Sequence, residues 1–207
     1  MRIVVDGIYY ACGLTLVGVA VSYFFSAWAG LPFYILAAFC LYFFRDPERI
    51  APPGDVLVAP ADGKVVAVRE IAPGETRVSI FLNIFDVHVN RTPLPGTITD
   101  VVYQKGRFLV ASHEAASSEN EQNTVVVEGS GTRVVCRQIA GLIARRIVCY
   151  KRAGDSLKPG ERIGYIKFGS RVDVLFGPEW RCSVKAGDRV SAGRSILANR
   201  ASGGEAV

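Results

Sequence analysis

The sequence predicts a mainly β protein, a barrel or sandwich of short strands, preceded by an α-helical membrane anchor. Three observations predict it. Residues 7 to 44 carry no charged side chain. From about Arg45 onward, Gly and Pro recur between short apolar runs. An eleven-residue segment also repeats: Ala153–Ile163 and Ala186–Ile196 share five identities at a spacing of 33. The division that follows is an anchor over 1–45 and a β-rich domain over 46–207.

The uncharged run is long enough to cross a hydrocarbon core of about 30 Å once with excess, or twice with short helices. We expect one helix near Ile8–Trp28 and a second near Pro32–Phe44, with Gly30-Leu31-Pro32 as the break. A signal peptide fits poorly, because Tyr, Phe and Trp crowd where small residues should precede a cleavage site. Arg2 lies before the run and Arg45 and Arg49 after it. For a hairpin, that places both ends on the cytoplasmic side of the cell (inner) membrane, and the β domain with them.

Composition narrows the chemistry. The formal charge is +5, with basic residues spread among acidic ones and no aromatic-interleaved basic stripe. That argues against nucleic acid as a partner and is compatible with an anionic membrane surface. The five cysteines, Cys12, Cys40, Cys136, Cys149 and Cys182, are odd in number and form no Cys-x-x-Cys. With only two histidines, no metal site is expected. The cysteines read as reduced, structural thiols.

The β domain reads as ten short strands. They are expected at Val56–Ala59, Lys64–Arg69, Arg77–Leu82, Val87–Asn90, Gly96–Tyr103, Thr124–Glu128, Arg133–Ile139, Ile147–Lys151, Ile163–Phe168 and Arg171–Phe176. Polar Leu109–Asn123 reads as a long loop, the kind that often carries function. Gly141–Arg146 reads as a turn or one helical turn. The repeat has a Gly-Asp-x-x-x-x-Gly core leading toward a strand, so two units imply a quasi-twofold arrangement. This turn resembles that of lipoyl and biotinyl domains, which implies a barrel-sandwich hybrid and nothing about function.

Within that pattern Gly169-Ser170 stands out. From Ile166 to Phe176, apolar residues occupy even positions, while Lys167, Arg171 and Asp173 occupy odd ones. Period two predicts a half-buried strand with Ser170 on its inner face. A buried hydroxyl needs a partner or a task, and a glycine inside a strand marks a bend or close approach. One reading is a strand serine beside a bulge. The other is a self-cleaving bond, in which the hydroxyl attacks the carbonyl before it and the resulting ester eliminates to leave a pyruvoyl N-terminus.

Other residues could join it. His88 lies in a strand with Val87 and Val89 on one side and His88 and Asn90 on the other. It is a candidate acid or base, or a satisfied strand histidine. His113 lies in the polar loop. Asp62, in Ala59-Pro-Ala-Asp-Gly63, is a turn residue or a carboxylate that orients a histidine. Arg145 and Arg146 are a solvated pair or a phosphate clamp.

Five segments, taken together and in order, resemble the phosphatidylserine decarboxylase proenzymes of the short bacterial and archaeal type. They are Phe43-Phe-Arg-Asp-Pro-Glu-Arg49, Ala59-Pro-Ala-Asp-Gly63, Val87-His-Val-Asn-Arg91, Gln138-Ile-Ala-Gly-Leu-Ile-Ala-Arg-Arg-Ile147 and Phe168-Gly-Ser-Arg-Val-Asp-Val174. The resemblance implies self-cleavage between Gly169 and Ser170, giving a β chain (1–169) and an α chain (170–207). It implies that Ser170 becomes a covalent pyruvoyl cofactor, with no metal. The amine of phosphatidylserine then forms a Schiff base with that ketone, and carbon dioxide and phosphatidylethanolamine are released. The resemblance puts Asp62 and Ser170 on the Asp and Ser of the longer members' cleavage triad, and His88 on a second histidine three residues before the triad histidine; it makes His88 the catalytic candidate, with its step unassigned. Arg91 stands where longer members place the histidine of a cleavage triad, and the serine motif reads Phe-Gly-Ser-Arg instead of Leu-Gly-Ser-Thr. A homo-oligomer stays open. The competing function is a non-catalytic, membrane-anchored lipoyl-like carrier, with Lys167 as its attachment point, or an uncleaved protein that binds anionic lipid through Arg145 and Arg146.

Overall fold

A computed structural model describes residues 1–110, 115–142, 146–167 and 169–201. Contacts divide the chain into two units, Met1–Glu48 and Arg49–Val207. In chain order the first unit contains β1 (Arg2–Ile3), α1 (Val5–Phe24), α2 (Ala27–Phe43) and β2 (Arg45–Asp46). The second contains β3 (Val56–Val58), β4 (Gly63–Ala72), β5 (Glu75–Leu82), β6 (Val89–Arg91), β7 (Gly96–Gln104), α3 (Ala116–Glu119), β8 (Gln122–Gly129) and β9 (Thr132–Ala140). It continues with β10 (Ile147–Cys149), β11 (Ser156–Leu157), β12 (Arg162–Ile166), β13 (Ser170–Phe176), β14 (Trp180–Cys182), β15 (Arg189–Val190) and β16 (Ile196–Arg200).

The first unit is a helical hairpin. Its outer surface is apolar: Leu16, Tyr23, Phe24, Phe25 and Trp28 are all exposed. The contact between the helices uses small residues, since a Cβ on Gly30 would strike Ser22 and the carbonyl oxygen of Gly18. Close approach of this kind is how helices pack without water to drive them together. The second helix begins five residues earlier than expected. Ser26 caps it, its Oγ accepting from the Ala29 N–H at 3.3 Å. Pro32 therefore lies inside α2 and does not break it. It sits within the first two turns, where its missing N–H forfeits a single backbone bond. At the open end, Arg2 pairs with Asp46 and Ile3 with Arg45. The two flanks of the apolar segment thus lie side by side. Among the described residues only α1 is long and apolar enough to cross a membrane, with α2 a shorter apolar helix.

The second unit is built on an eight-stranded antiparallel sheet, ordered β11-β7-β8-β9-β13-β5-β4-β15. Two three-stranded sheets, β10-β12-β6 and β14-β16-β3, complete it. An apolar cluster fills the interior, including Leu57, Ile80, Leu82, Ile163, Val172, Val174, Phe176 and Leu197. The mainly β class with a helical segment in front is what the sequence predicts.

The repeat is a true structural repeat. Gly154 N–H donates to Ile98 O and Gly187 N–H to Val65 O, both at 2.8 Å. Asp155 accepts from the Arg152 N–H, and Asp188 from the Lys185 N–H. β4 and β7 also interrupt their ladders at matching places, between Val65 and Ala67 and between Ile98 and Asp100. Strands β3 and β6, and β10 and β14, are likewise offset by 33 residues. The quasi-twofold therefore runs through the whole β unit and not only through its two turns.

One expectation is corrected. β13 is not half-buried: all seven residues, Arg171 and Asp173 included, are buried. The outer face of this strand is covered because Ser117, in α3, donates to Asp173 Oδ2 at 2.8 Å. Arg171 Nε bonds Asp173 Oδ1 at 2.6 Å, and its Nη2 donates to Ser79 Oγ at 2.7 Å. Period two sorted the side chains correctly between faces, but charge did not mean solvent. A buried pair satisfied on every side is tolerated, whereas a single unpartnered charge is not. The polar segment read as a loop over 109–123 supplies that cover through one helical turn.

Candidate active site

Ser170 is the first residue of the central strand β13, opposite Leu82 of β5 and Ala140 of β9. It is fully buried, and its Oγ is a buried polar atom with no hydrogen-bond partner among the described residues. Gly169, just before it, has φ of +69°. That left-handed conformation suits glycine. It turns the chain into the strand and delivers the Gly169–Ser170 peptide at the end of the sheet.

His88 reaches this bond from the other sheet. It directly precedes β6 and is 2% exposed. The Gly169 N–H donates to His88 Nε2 at 3.2 Å, and His88 Nδ1 lies 3.0 Å from the Asp86 carbonyl oxygen. An amide can only donate and a carbonyl only accept. The network therefore places the ring proton on Nδ1 and the lone pair on Nε2, facing the Gly169 backbone. A histidine in this state can accept a proton beside the bond.

Asn90 shares the His88 face of β6 and is fully buried. Its Oδ1 accepts from Gln138 Nε2 at 2.8 Å, and Gln138 Oε1 accepts from Asn123 Nδ2 at 3.0 Å. Asn90 Nδ2, at the end of this buried amide chain, has no partner among the described residues. Gln138 lies opposite Val172, so the chain meets β13 two residues along from Ser170 on the same face. Two unsatisfied polar atoms, one hydroxyl and one amide donor, thus face the same interior. Each such atom costs about 1–3 kcal/mol when left without a partner. The sequence pairs Asn90 with His88 by alternation, but nothing local marks Gln138 and Asn123 as its neighbours.

The remaining candidates are placed differently. Asp62 Oδ2 accepts from Arg49 Nη2 at 2.8 Å, and its Oδ1 from the Ala192 N–H at 2.7 Å. Its two oxygens thus hold an arginine and a turn, and both ring nitrogens of His88 have other partners. Arg91 is 4% exposed and donates from Nη1 to the Gly160 carbonyl at 3.0 Å. By alternation it lies on the β6 face opposite His88. Arg146 is exposed, and its carbonyl accepts from the Lys167 N–H at 3.1 Å. Lys167 is half-buried next to this contact and does not stand at an exposed hairpin tip. Arg145, His113 and Phe168 lie outside the described residues. Burial pushes the Cys136 thiol far up from its ordinary range, which suits an inert core residue.

The local chemistry fits a covalent group made from residue 170. A hydroxyl with no competing partner among the described residues, a permissive glycine before it and a histidine lone pair at the same backbone are what such a group would require. The sequence profile of the phosphatidylserine decarboxylase family matches residues 36–198. The chain is 60% identical over 200 residues to the phosphatidylserine decarboxylase proenzyme of Solibacter usitatus (strain Ellin6076), covering 97% of this chain and 98% of that one. It is 45% identical over 188 residues to the proenzyme of Magnetococcus marinus (strain ATCC BAA-1437 / JCM 17883 / MC-1), covering 86% of each. With the profile spanning most of the β unit and the first relative matched nearly end to end, this chain belongs to the phosphatidylserine decarboxylase family of enzymes.

Proposed function

We propose that the protein cleaves itself at Gly169–Ser170, converts Ser170 to a pyruvoyl group, and decarboxylates phosphatidylserine to phosphatidylethanolamine. The observation that carries this reading is the buried Ser170 Oγ, without a partner among the described residues, beside a Gly169 backbone held by His88 Nε2. His88 Nε2 exchanges its Gly169 contact for the Ser170 hydroxyl and takes the proton as Oγ attacks the Gly169 carbonyl carbon. The C–N bond breaks, the nitrogen gains a proton, and an ester joins the two residues. Loss of the Ser170 Cα proton then expels Gly169 as a carboxylate. The dehydroalanine left at 170 takes up water and releases ammonia, leaving the ketone.

Once present, the pyruvoyl group supplies an electrophile for the substrate amine and a sink for the electrons that carbon dioxide leaves behind. The chain's own residues do the rest. His88 returns a proton to the former carboxyl carbon. Asn90 Nδ2 donates to a substrate oxygen. Asp62 is a positioning residue that ties Arg49 to the 191–193 turn, against which Arg91 packs. Arg146, with Arg145, meets the lipid phosphate. The two products of cleavage, residues 1–169 and 170–207, stay together because β13 is bonded along its length to β5 and β9 of the other fragment. The helical hairpin anchors the enzyme in the cell (inner) membrane, with the β unit on the cytoplasmic side.

The test is carbon dioxide release from phosphatidylserine vesicles. Wild-type protein should release it, and Ser170→Ala should reduce release to background. Cleaved wild-type protein with no release, or an active Ser170→Ala variant, would overturn the reading.

A further inference from the structure

The loops that leave the eight-stranded sheet beside Ser170 differ from those at its far end. β5 and β9 both end at the pairs with Ser170, and β7, separated from β9 by β8, ends on the same side. The loops that follow carry Ile84, Phe85, Val110 and Leu142, exposed by 38%, 60%, 41% and 55%. Phe85 lies three residues before His88. At the far end, the turns are built from Gly74, Ser130, Gly131 and Pro178, and Ile71 is the one large apolar side chain exposed there among the described residues. Exposed apolar side chains gathered on one rim mark an interaction surface.

Charge indicates what it meets. On this rim Asp86 is paired with Arg189, and Glu119 with Arg107. Glu121 accepts a hydrogen bond from the Tyr103 hydroxyl, which raises that phenol to about 12. Lys64, opposite Arg189 in the β4–β15 ladder, Lys105, directly after β7, and Arg146, in the segment that follows β9, are exposed. Apolar tips flanked by cations match a leaflet that contains anionic lipid.

We infer that this rim, with Ile84 and Phe85 at its tip, inserts into the anionic leaflet so that lipid passes from bilayer to Ser170 without crossing water. This is a second membrane contact, made by the β unit itself. The inference rests on the decarboxylase reading, which supplies a substrate that resides in a bilayer.

Two experiments on the full chain test it. Phe85→Trp is placed in an uncleaved Ser170→Ala, Trp28→Phe background and mixed with vesicles of brominated phosphatidylcholine and phosphatidylserine. Its emission should be quenched, while Ile71→Trp in the same background stays unquenched. This readout needs neither cleavage nor turnover. Second, Ile84→Ser/Phe85→Ser in cleavable protein should lower the rate on phosphatidylserine vesicles about 10- to 100-fold, the value of burying such side chains. The rate on monomeric short-chain phosphatidylserine should not change. Absent quenching at position 85, or equal losses on both substrates, would overturn the inference. So would a concentration-dependent dimer that the double substitution abolishes, since a second copy would then cover the rim. If quenching occurs but wild-type protein decarboxylates neither substrate, the surface stands and the decarboxylase reading fails.

Discussion

The two halves of the β unit share a scaffold and differ in how they fill it. A shift of 33 residues carries His88, Asn90 and Arg91 of one half onto Asp55, Leu57 and Val58 of the other. Aligning the ladders sets Leu82 on Gly129, and hence its partner Ser170 on Thr132. In the quiet half, Leu57 is a fully buried core residue. The Thr132 hydroxyl is satisfied there, accepting from Trp180 Nε1 at 3.0 Å and bonding Glu179. In the other half, Asn90 Nδ2 and Ser170 Oγ both lack partners among the described residues. The same fold can close these positions with apolar packing and complete hydrogen bonds. Where it does not, stability has been given up at the place where chemistry is expected.

Removing the histidine should have the greatest effect on the reactive half. His88→Ala should slow self-cleavage by about 10²- to 10⁴-fold, the usual worth of a positioned base. The time course of fragment formation on a denaturing gel checks this. If His88→Ala cleaves at the wild-type rate, the base is elsewhere.

Next in size is the buried pair behind Ser170. Asp173→Ala leaves Arg171 charged and buried, with Ser117 also deprived of its acceptor. It should cost about 3–5 kcal/mol in urea unfolding. Replacing Arg171 and Asp173 together by apolar residues should cost much less. Equal losses would mean that the pair is worth more than the desolvation it demands.

Asn90→Leu copies the quiet half into the reactive one. Turnover should fall about 10²- to 10³-fold, as for loss of one well-placed donor. Stability should change by no more than about 1–2 kcal/mol, because an unsatisfied amide leaves as the Gln138 donor loses its acceptor. A large loss of stability with turnover intact would make Asn90 structural. The smallest effect is expected at Gly169→Ala. A Cβ there would meet nothing within 4 Å, so only the positive φ opposes it. That strain is about 1–2 kcal/mol, which should slow cleavage modestly without preventing it.

Local signals revealed much of the architecture. The repeat at 33 residues foretold the quasi-twofold, and alternation placed Ser170 on the inner face of its strand. Alternation could not tell that Arg171 and Asp173 were buried, because their cover comes from Ser117, distant in sequence. The same reason hid Gln138 and Asn123: their link to Asn90 spans two sheets. Pro32 misled in the opposite sense, since a capping serine upstream lets a helix start before a proline that looks like its boundary. At the site, Gly169, Ser170 and His88 are legible as motif residues. That His88 Nε2 faces the Gly169 backbone, and that Asp62 holds Arg49, are products of tertiary contact.

Intact mass spectrometry of the purified full chain reads self-cleavage and pyruvoyl formation together. Wild-type protein should give two species, residues 1–169 and a short fragment beginning at a pyruvoyl-blocked residue 170. Ser170→Ala should give one uncleaved chain. Wild-type protein that stays a single 22.4 kDa chain under conditions where it releases carbon dioxide would contradict the account.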